Sequence, residues 1–261
     1  MTRKLSGRTA LITGAARGLG VNIAERLGSD GANIMLVDIN EEGLSEAAEQ
    51  VAAAGAPQVG CCVHDLGVES GANSAVEKTR TELGGLDILV NNAGGGIIRP
   101  FLEHTVDTLQ ETLKRNLWTT IHCTRAVLPH MMEQQYGRIV NIGADSVHTG
   151  IWSHAGYNAA KGGINGLTTG LAFEFAEHHI TVNAVSPGGV LTPEVAQMFD
   201  PNSEVYKKHQ IVDVSKALER IPIGRFVEMH EVSAMVAFLT HEDSLGITGQ
   251  IYSVNGGQWM M

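Results

Sequence analysis

The sequence predicts an α/β fold in which helices cover both faces of a doubly wound parallel sheet. Two observations carry this prediction: short apolar runs alternate with longer helix-like segments, and a glycine-rich turn directly follows the first run. The 261 residues, 43% of them hydrophobic, suffice for one large domain with a sizeable core. Because no repeat or linker divides the chain, we expect a single domain over residues 1–261.

Each element follows from its apolar pattern. Seven short runs are predicted as strands: 9–13, 34–37, 59–63, 87–90, 137–142, 180–185 and 250–254. The segments between them are predicted as helices. The first runs from the glycine-rich turn to about residue 27, and the second, 41–54, has Asn40 as its N-cap. The others are 68–83, 105–116, 118–135 and about 157–178. The irregular segment 189–227 follows the sixth strand. Because ligands of such sheets bind beyond the carboxyl ends of the strands, this segment is predicted to be a substrate lid.

The composition argues against several classes of protein. A formal net charge of -10 disfavours binding to nucleic acid or to a membrane surface. Three cysteines cannot all pair within one chain, so the adjacent Cys61 and Cys62 are expected to be reduced and buried. The first eight residues lack the apolar stretch of a signal peptide, and no run approaches the roughly 18 residues that span a bilayer. We expect a cytoplasmic protein, and the scattered histidines predict no metal site.

The turn after the first strand has the pattern of a dinucleotide site. Gly14, Gly18 and Gly20 allow a tight turn and a close approach of backbone N–H groups to a pyrophosphate. The helix that begins there adds the favourable end of its dipole. The spacing is G-x-x-x-G-x-G rather than G-x-G-x-x-G, and its position between strand and helix favours cofactor binding over a plain turn.

An acidic residue at the end of the second strand predicts the type of dinucleotide. Asp38 lies 18 residues after Gly20, where a carboxylate accepts hydrogen bonds from an adenosine ribose and repels a 2′-phosphate. NAD is therefore favoured over NADP, although Asp38 could also only cap the next helix. Arg17 could meet a 2′-phosphate, but beside Asp38 we expect it to face solvent or the pyrophosphate. Asp65, after the third strand, is the candidate adenine contact or else a helix cap.

Tyr157 and Lys161 form the candidate catalytic pair. Their spacing of four places both side chains on one face of a helix. A phenol with a pKa of about 10 is a poor base at neutral pH, and a neighbouring ammonium group favours the phenolate. Such a phenol could exchange a proton with an alcohol or carbonyl oxygen. The pair is weak evidence alone, because an ordinary helix often carries one buried Tyr and one exposed Lys.

Together these motifs resemble the short-chain dehydrogenase/reductase family over nearly the whole chain. The resemblance rests on the glycine turn, on 91–94 (Asn-Asn-Ala-Gly), on Asn116, on Tyr157 with Lys161, and on 187–192 (Pro-Gly-x-x-x-Thr). It implies a Rossmann-type fold, nicotinamide-dependent hydride transfer at a hydroxyl carbon, and a homotetramer. The apolar C-terminal end at Trp259 is consistent with chain ends buried between subunits, or with a frayed tail.

The resemblance also implies roles for individual residues. Asn116 is similar to the asparagine that holds a proton-relay water near the lysine, although a structural role is an alternative. Thr192 and the backbone of Val190 resemble the clamp on the nicotinamide carboxamide. The full set of expected cofactor contacts is Gly14, Arg17, Gly18, Leu19, Gly20, Asp38, Asp65, Leu66, Asn92, Ala93, Gly94, Ile142, Tyr157, Lys161, Pro187, Gly188, Val190 and Thr192.

One position departs from the family pattern. The family carries a serine thirteen residues before the tyrosine, where it hydrogen-bonds the substrate oxygen, and this chain has Ala144 there. Ser146 is the favoured replacement, so the expected catalytic set is Tyr157, Lys161, Asn116 and Ser146. Two alternatives stay open: a protonated Asp145 donates instead, or the site has lost catalysis.

The substrate is expected to contact Gly96, Asp145, His148 and Trp152, together with the lid. His154 is a further candidate, although His148 and His154 are typical of ordinary loop histidines. The lid cations Lys207, Lys208, Lys216 and Arg220 could bind a carboxylate or an acyl-CoA, but a solvated helical face is the favoured interpretation.

The expected function is NAD-dependent interconversion of a secondary alcohol and a ketone, with Tyr157 as general base or acid. An NADPH-dependent ketoreductase of biosynthesis is the alternative enzyme, and Asp38 disfavours it. The alternative that is not an enzyme is a module that binds a dinucleotide without turnover. The alanine at position Ala144, in place of the family's serine, keeps this alternative open.

Overall fold

Seven parallel strands form the central sheet of the computed structural model, which describes residues 4–200, 202–204 and 218–260. The strands are β1 (Thr9–Thr13), β2 (Asn33–Asp38), β3 (Val59–Val63), β4 (Ile88–Asn91), β5 (Gly137–Ile142), β6 (Ile180–Pro187) and β9 (Ile251–Val254). Their order across the sheet is β3-β2-β1-β4-β5-β6-β9. The predicted doubly wound parallel sheet is thereby confirmed.

The ends of the strands differ from the sequence prediction by at most two residues. The largest extension is in β6, which continues through Ser186 and Pro187 because both pair with β9. A separate parallel pair joins β7 (Val190–Leu191) to β8 (Val227–Glu228), at the two ends of the predicted lid. This pair is too short to show an apolar alternation, and the sequence did not predict it.

Helices cover both faces of the sheet. One face carries α1 (Gly18–Ser29), α2 (Glu41–Ala53) and α9 (Met229–Thr240), and the other carries α3 (Glu69–Leu83), α5 (Thr119–Gln134) and α7 (Ala155–Phe175). Within β1, Ala10 and Ile12 belong to the first apolar core and Leu11 to the second. This alternation follows from the strand pleat, which directs successive side chains to opposite faces.

A π-helical segment replaces the predicted break between two helices. The chain runs from α4 (Val106–Leu113) through a π-helix at Lys114–Trp118 directly into α5. The extra residue per turn shifts the register of the later helix, so that Asn116 is completely buried. The remaining described helices are short: α6 (Ser146–Thr149), α8 (Pro193–Phe199) and three 3₁₀ turns at Phe101–Glu103, Ala176–His178 and Glu242–Ser244.

The sheet reverses its strand order between β1 and β4, which opens a crevice at their carboxyl ends. Asn92 ties the two strand ends together, because its Nδ2 donates to the carbonyl oxygens of Thr13 and Gly14, each at 3.0 Å. The backbone N–H of Ala93 also donates to Thr13 Oγ1 at 2.9 Å. Such a reversal is where ligands of open α/β sheets bind. The predicted lid falls partly on residues 201 and 205–217, which lie outside the described residues.

Candidate active site

The glycine turn connects β1 to α1 at this crevice. Gly14 has a φ of +65°, and a Cβ there would lie 2.7 Å from Ala93 Cα. Both the left-handed backbone conformation and the lack of space therefore exclude a side chain at this position. At Gly18, also with a positive φ, a Cβ would meet nothing within 4 Å. No side chain caps α1 and no acidic residue lies in its first turn. The turn thus offers open space and an uncapped helix N-terminus, which suit the pyrophosphate of a dinucleotide.

Two carboxylates lie at the end of β2 and just after β3, where the adenosine half of a cofactor is expected. Asp38 accepts hydrogen bonds from the backbone N–H groups of Ile39 at 2.7 Å and Ala16 at 3.2 Å. It therefore also stabilises the glycine turn. Asp65 accepts from Lys114 Nζ at 2.8 Å, and this hydrogen bond lowers the pKa of the Asp65 carboxyl. Lys114 is a neighbour of Asp65 that the sequence did not indicate.

A cavity of about 640 Å³ lies at the carboxyl ends of β4, β5 and β6. Ten of the expected cofactor residues line it: Leu19, Asn92, Gly94, Ile142, Tyr157, Lys161, Pro187, Gly188, Val190 and Thr192. The eight others are outside its lining: Gly14, Arg17, Gly18, Gly20, Asp38, Asp65, Leu66 and Ala93. The side chain of Leu66 is packed in the core beneath α3 and α5, so Leu66 can contact a cofactor only through its backbone.

Tyr157 and Lys161 both face this cavity from α7. Lys161 Nζ lies 5.8 Å from the centroid of the Tyr157 ring and donates to the carbonyl oxygen of Ile142 at 2.7 Å. Burial lowers the pKa of Lys161 to about 8 and raises the pKa of Tyr157 to about 12. Burial raises the pKa of Tyr157 in the chain without cofactor, so the expectation that Lys161 lowers this pKa stays a prediction. Loss of water around both groups favours both neutral forms.

Asn116 lies between the loop after β4 and the helix face of Lys161. Its Nδ2 donates to the carbonyl oxygens of Thr112 at 2.8 Å and Gly95 at 3.0 Å, and its Oδ1 accepts from the Gly95 N–H at 3.2 Å. A Cβ at Gly94 would lie 2.6 Å from Asn116 Oδ1 and 3.5 Å from Lys161 Nζ. The asparagine thus holds the glycine loop beside the lysine.

Ser146 lines the cavity at the start of α6, nine residues before α7 begins. Its Oγ donates to Asn158 Oδ1 at 2.7 Å, and Asn158 Nδ2 donates back to the Ser146 carbonyl oxygen at 2.8 Å. Asn158 adjoins Tyr157 in the chain, so this pair couples the loop after β5 to the catalytic helix. The hydroxyl must turn from Asn158 before it can donate to a substrate. Ala144 also lines the cavity. It occupies the position at which the family carries a serine, and it has no hydroxyl group.

Asp145 has a different role from the donor considered above. Its two oxygens accept hydrogen bonds from Ser253 Oγ at 2.7 Å and Asn255 Nδ2 at 2.8 Å. The side chain is almost completely buried, although the residue contributes to the cavity wall. Asp145 thus joins the end of β5 to the C-terminal segment after β9, and both of its oxygens act as acceptors.

Two of the expected substrate contacts lie elsewhere. His148 stacks on Trp259 with ring centroids 6.0 Å apart and is not part of the cavity lining. Trp152 is 81% exposed and also absent from the lining, because the loop after α6 directs it to solvent. Gly96 and His154 do line the cavity, as the sequence indicated.

Several lining residues carry no signal in the sequence. Gln258 comes from the C-terminal segment, and Ile221 and Phe226 come from the described end of the predicted lid. Arg220 lines the cavity as well, whereas Lys207, Lys208 and Lys216 lie outside the described residues. Among the residues described, no group of three or more His, Cys, Asp or Glu is arranged to hold a metal, and no helix is long and apolar enough to cross a membrane.

The sequence matches the family model described as short chain dehydrogenase over residues 8–203. The chain belongs to the short-chain dehydrogenase family. It is 47% identical to the 2,3-dihydroxy-2,3-dihydro-p-cumate dehydrogenase of Pseudomonas putida, over 98% of this chain and 96% of that protein. It is 34% identical to the 1,6-dihydroxycyclohexa-2,4-diene-1-carboxylate dehydrogenase of Acinetobacter baylyi, over 98% of each.

The fold is shared with solved members of the family. The structure of levodione reductase superposes with a TM-score of 0.89 at 31% sequence identity, covering 97% of this chain and 98% of that one. Short-chain dehydrogenases are oxidoreductases that bind a nicotinamide dinucleotide. The open glycine turn and uncapped N-terminus of α1 fit that group in this chain.

Proposed function

We propose that this short-chain dehydrogenase uses NAD to oxidise one hydroxyl of a vicinal diol carried on a partly unsaturated ring. The observation that carries the proposal is that Tyr157 and Lys161 line one cavity beside the glycine turn, while the buried Asn116 holds the Gly95 backbone next to them. A retained proton-transfer pair is unnecessary for a module that only binds a dinucleotide. This arrangement therefore favours catalysis over the alternative without turnover.

The substrate class is supported by the cavity walls and by the relatives. Both of the relatives named above act, by their names, on a ring that bears two hydroxyl groups and a carboxylate. The walls of the cavity offer an apolar surface from Ile98, Ile151, Ile221 and Phe226. Such a surface suits a flat hydrocarbon ring, and polar groups on the opposite side would orient its hydroxyls.

The chemistry divides between cofactor and protein. Bound NAD supplies the hydride acceptor and a positive charge that favours the phenolate of Tyr157. Tyr157 takes the hydroxyl proton while the carbon–hydrogen bond of the same carbinol carbon is broken. The two electrons of that bond leave as hydride, and the ring carbon becomes a ketone. In a cyclic diene with a hydrogen on the neighbouring carbinol carbon, this ketone then tautomerises to an aromatic diol.

Lys161 and Asn116 support the proton transfer. Lys161 holds the end of β5 through the Ile142 carbonyl oxygen, and in its protonated form it stabilises a phenolate on Tyr157. Asn116 keeps the 94–96 loop close to Lys161, which leaves a path for the proton towards solvent along polar groups. Thr192 caps α8 through its Oγ1, so its proposed contact with a nicotinamide carboxamide must be shared with that cap.

The choice of NAD rests on Asp38. Its carboxylate lies at the end of β2, where it holds the glycine turn through Ala16 and would repel a 2′-phosphate. The NADPH-dependent ketoreductase remains the second candidate, with the same catalytic residues and the opposite preferred direction.

A homotetramer and a cytoplasmic location complete the proposal. All three cysteines are free thiols, with Cys62 and Cys123 buried, as expected in a reducing compartment. Exposed apolar side chains such as Phe173 and Leu102 support assembly with further copies.

The test is a set of substrates offered with NAD and with NADP in parallel. We expect cis-dihydrodiols of benzene and benzoate to reduce NAD, with aromatic diols as products, and simple secondary alcohols to react more slowly. Tyr157→Phe should lower turnover by about 10²–10⁴-fold while NAD binding persists. Reduction of NAD by aliphatic alcohols but by no ring diol would contradict the substrate class. Cofactor binding without turnover of any alcohol or ketone would favour the non-catalytic module.

A further inference from the structure

Arg220 is a cation at the cavity wall that the proposed reaction does not use. It precedes Ile221, whose buried side chain also lines the cavity. The Ile221 N–H donates to the Leu218 carbonyl oxygen at 2.9 Å, and the Ile221 carbonyl oxygen accepts from the Gly224 N–H at 2.8 Å. These contacts hold the backbone next to Arg220, while its own side chain is exposed.

The other charged groups of the cavity are already bound within the protein. Lys161 Nζ donates to Ile142. Both oxygens of Asp145 accept hydrogen bonds from Ser253 and Asn255. Within the part of the chain that the structure describes, Arg220 forms no hydrogen bond or ion pair. The cavity therefore presents one guanidinium group to its contents, across a wall that is otherwise largely apolar.

We propose that Arg220 binds a carboxylate on the ring of the substrate and so selects acidic ring diols over neutral ones. This inference rests on the proposed function. A guanidinium group presents two parallel N–H donors that match the two oxygens of a carboxylate, which gives both affinity and orientation. With the carboxylate at Arg220 and the ring against Ile221, we expect the hydroxyl groups to reach Tyr157, which lines the same cavity.

A phosphate of the cofactor is the competing ligand for Arg220. The pyrophosphate is expected at the N-terminus of α1, and the adenosine beyond β2 and β3. Arg220 instead belongs to the described end of the predicted lid and lines the cavity together with Ile221 and Phe226. A role in cofactor binding would raise the KM for NAD, whereas a role in substrate recognition would leave it unchanged.

The kinetic experiment compares one acid with its neutral analogue. The substrates are the cis-2,3-dihydrodiol of benzoate and the methyl ester of the same compound, with Arg220→Gln, Arg220→Lys and the control Arg80→Gln. Arg80 lies on α3 and pairs with Glu77, so its replacement removes the same charge outside the cavity. We expect Arg220→Gln to lower kcat/KM for the acid by at least about tenfold, mainly through KM, because a charge-assisted hydrogen bond is lost.

The ester should serve as the internal reference. Its kcat/KM should change less than about threefold in Arg220→Gln, Arg220→Lys should retain part of the preference for the acid, and Arg80→Gln should behave as wild type. Equal losses for acid and ester, or a raised KM for NAD, would overturn the assignment. So would a wild-type enzyme that uses the ester as well as the acid.

A binding measurement separates this inference from the proposed reaction. Titration of the NAD-loaded protein with 2,3-dihydroxybenzoate, followed by calorimetry, needs no turnover. We expect wild type to bind this acid at least about tenfold more tightly than Arg220→Gln, with methyl 2,3-dihydroxybenzoate bound equally by both. If no dihydrodiol is oxidised but this difference persists, the proposed function fails and the role of Arg220 stands. Equal binding of the acid by both proteins contradicts the role of Arg220.

Discussion

Burial favours the neutral forms of both Tyr157 and Lys161, because it raises the pKa of Tyr157 and lowers the pKa of Lys161. The Lys161 ammonium loses hydration and gains one carbonyl oxygen, and the Tyr157 phenolate would lose hydration without a partner. The pair is therefore poised to change its protonation when a charged ligand arrives beside it. Because proton transfer needs a phenolate, cofactor binding and activation of the base are coupled in this site.

The buried Lys161 predicts a specific dependence of stability on pH. Its pKa falls from 10.5 to about 8 on folding, so between these values the unfolded chain binds more protons and stability rises with pH. Below pH 8 both states are protonated and this gain is absent. We expect the free energy of unfolding of wild type, relative to Lys161→Met, to rise by about 2 kcal/mol from about pH 7 to pH 9.5.

Denaturant unfolding of the cofactor-free protein measures this difference. Tyr157 titrates in both proteins, so its opposite effect at high pH cancels. Lys78→Met is the control, since the partly exposed Lys78 lies on α3 and pairs with Glu82 at 3.7 Å. Parallel pH curves for wild type and Lys161→Met would show that the Lys161 pKa is not lowered.

Ser146 tests which hydroxyl replaces the one absent at Ala144. If its Oγ turns from Asn158 to the substrate oxygen, Ser146→Ala should lower kcat by at least about tenfold, a cautious floor for the loss of one such donor. NAD affinity should change little. Ser153→Ala removes a nearby hydroxyl outside the cavity lining and should be near neutral.

Replacing Asp145 tests whether this residue donates to the substrate oxygen in place of Ser146, or only holds Ser253 and Asn255. Asp145→Asn leaves one acceptor oxygen for Ser253 or Asn255 and should be milder than Asp145→Ala, which loses both bonds. A neutral Ser146→Ala with a severe loss of kcat in Asp145→Asn, at unchanged stability, would reverse the assignment. Steady-state kinetics gives kcat for each variant, and thermal unfolding gives its stability.

The ends of strands, rather than any one strand, form the cofactor site. The end of β2 supplies Asp38, the end of β1 supplies the glycine turn, and a hydrogen bond from Ala16 to Asp38 joins them. The end of β5 is joined to the end of β9 in the same way, through Asp145. Parallel strands bring all these ends to one edge, so each loop can be held by the next.

Cofactor preference should therefore respond to Asp38. Wild type should prefer NAD to NADP by at least about tenfold in kcat/KM, or about 1.4 kcal/mol. Asp38→Ser should narrow the gap chiefly by improving NADP, because the repulsion of a 2′-phosphate is removed. Glu41→Ser, at the exposed start of α2, is the matched control that removes one nearby acid. Equal use of both cofactors by wild type would contradict this role.

The whole molecule presents an apolar helix face that nothing in the described chain covers. On α7, Phe173 is 91% exposed. Gly170 and Gly166 lie about one and two turns before it, and added Cβ atoms there would meet nothing within 4 Å. Small residues beside a large apolar one allow another helix to approach closely. By contrast, Trp259 packs on His148 of its own chain but is still 38% exposed, and Met260 is 72% exposed, so the part of the C-terminal end in assembly stays a prediction.

A charged substitution at Phe173 tests whether the protein assembles through this face of α7. We expect light scattering at micromolar concentration to give the mass of four 27.8 kDa chains. Phe173→Glu should reduce that mass, because burying a carboxylate in an apolar contact is strongly unfavourable. Ile39→Glu introduces the same charge at the cofactor edge, which must stay open, and should leave the mass unchanged. A wild-type monomer would refute the tetramer, and an unchanged Phe173→Glu tetramer would move the interface elsewhere.

Local patterns in the sequence determined most of the fold and part of the site. The strands, the glycine turn, the Asn40 cap and the spacing of Tyr157 and Lys161 each depend on neighbours within a few residues. Backbone geometry and the periodicity of helices and strands act over that same range, so they can be recognised in a single sequence. The π-helix at Asn116 was missed because its composition resembles an ordinary helix.

Tertiary structure alone decided the remaining features. Asp145 meets Asn255 across 110 positions of sequence, and Gln258 and Arg220 reach one cavity from separate segments. Contacts of this kind leave no periodic trace in the chain. The shifted pKa values of Tyr157 and Lys161 likewise depend on water excluded by everything packed around them, a quantity that exists only in the folded protein.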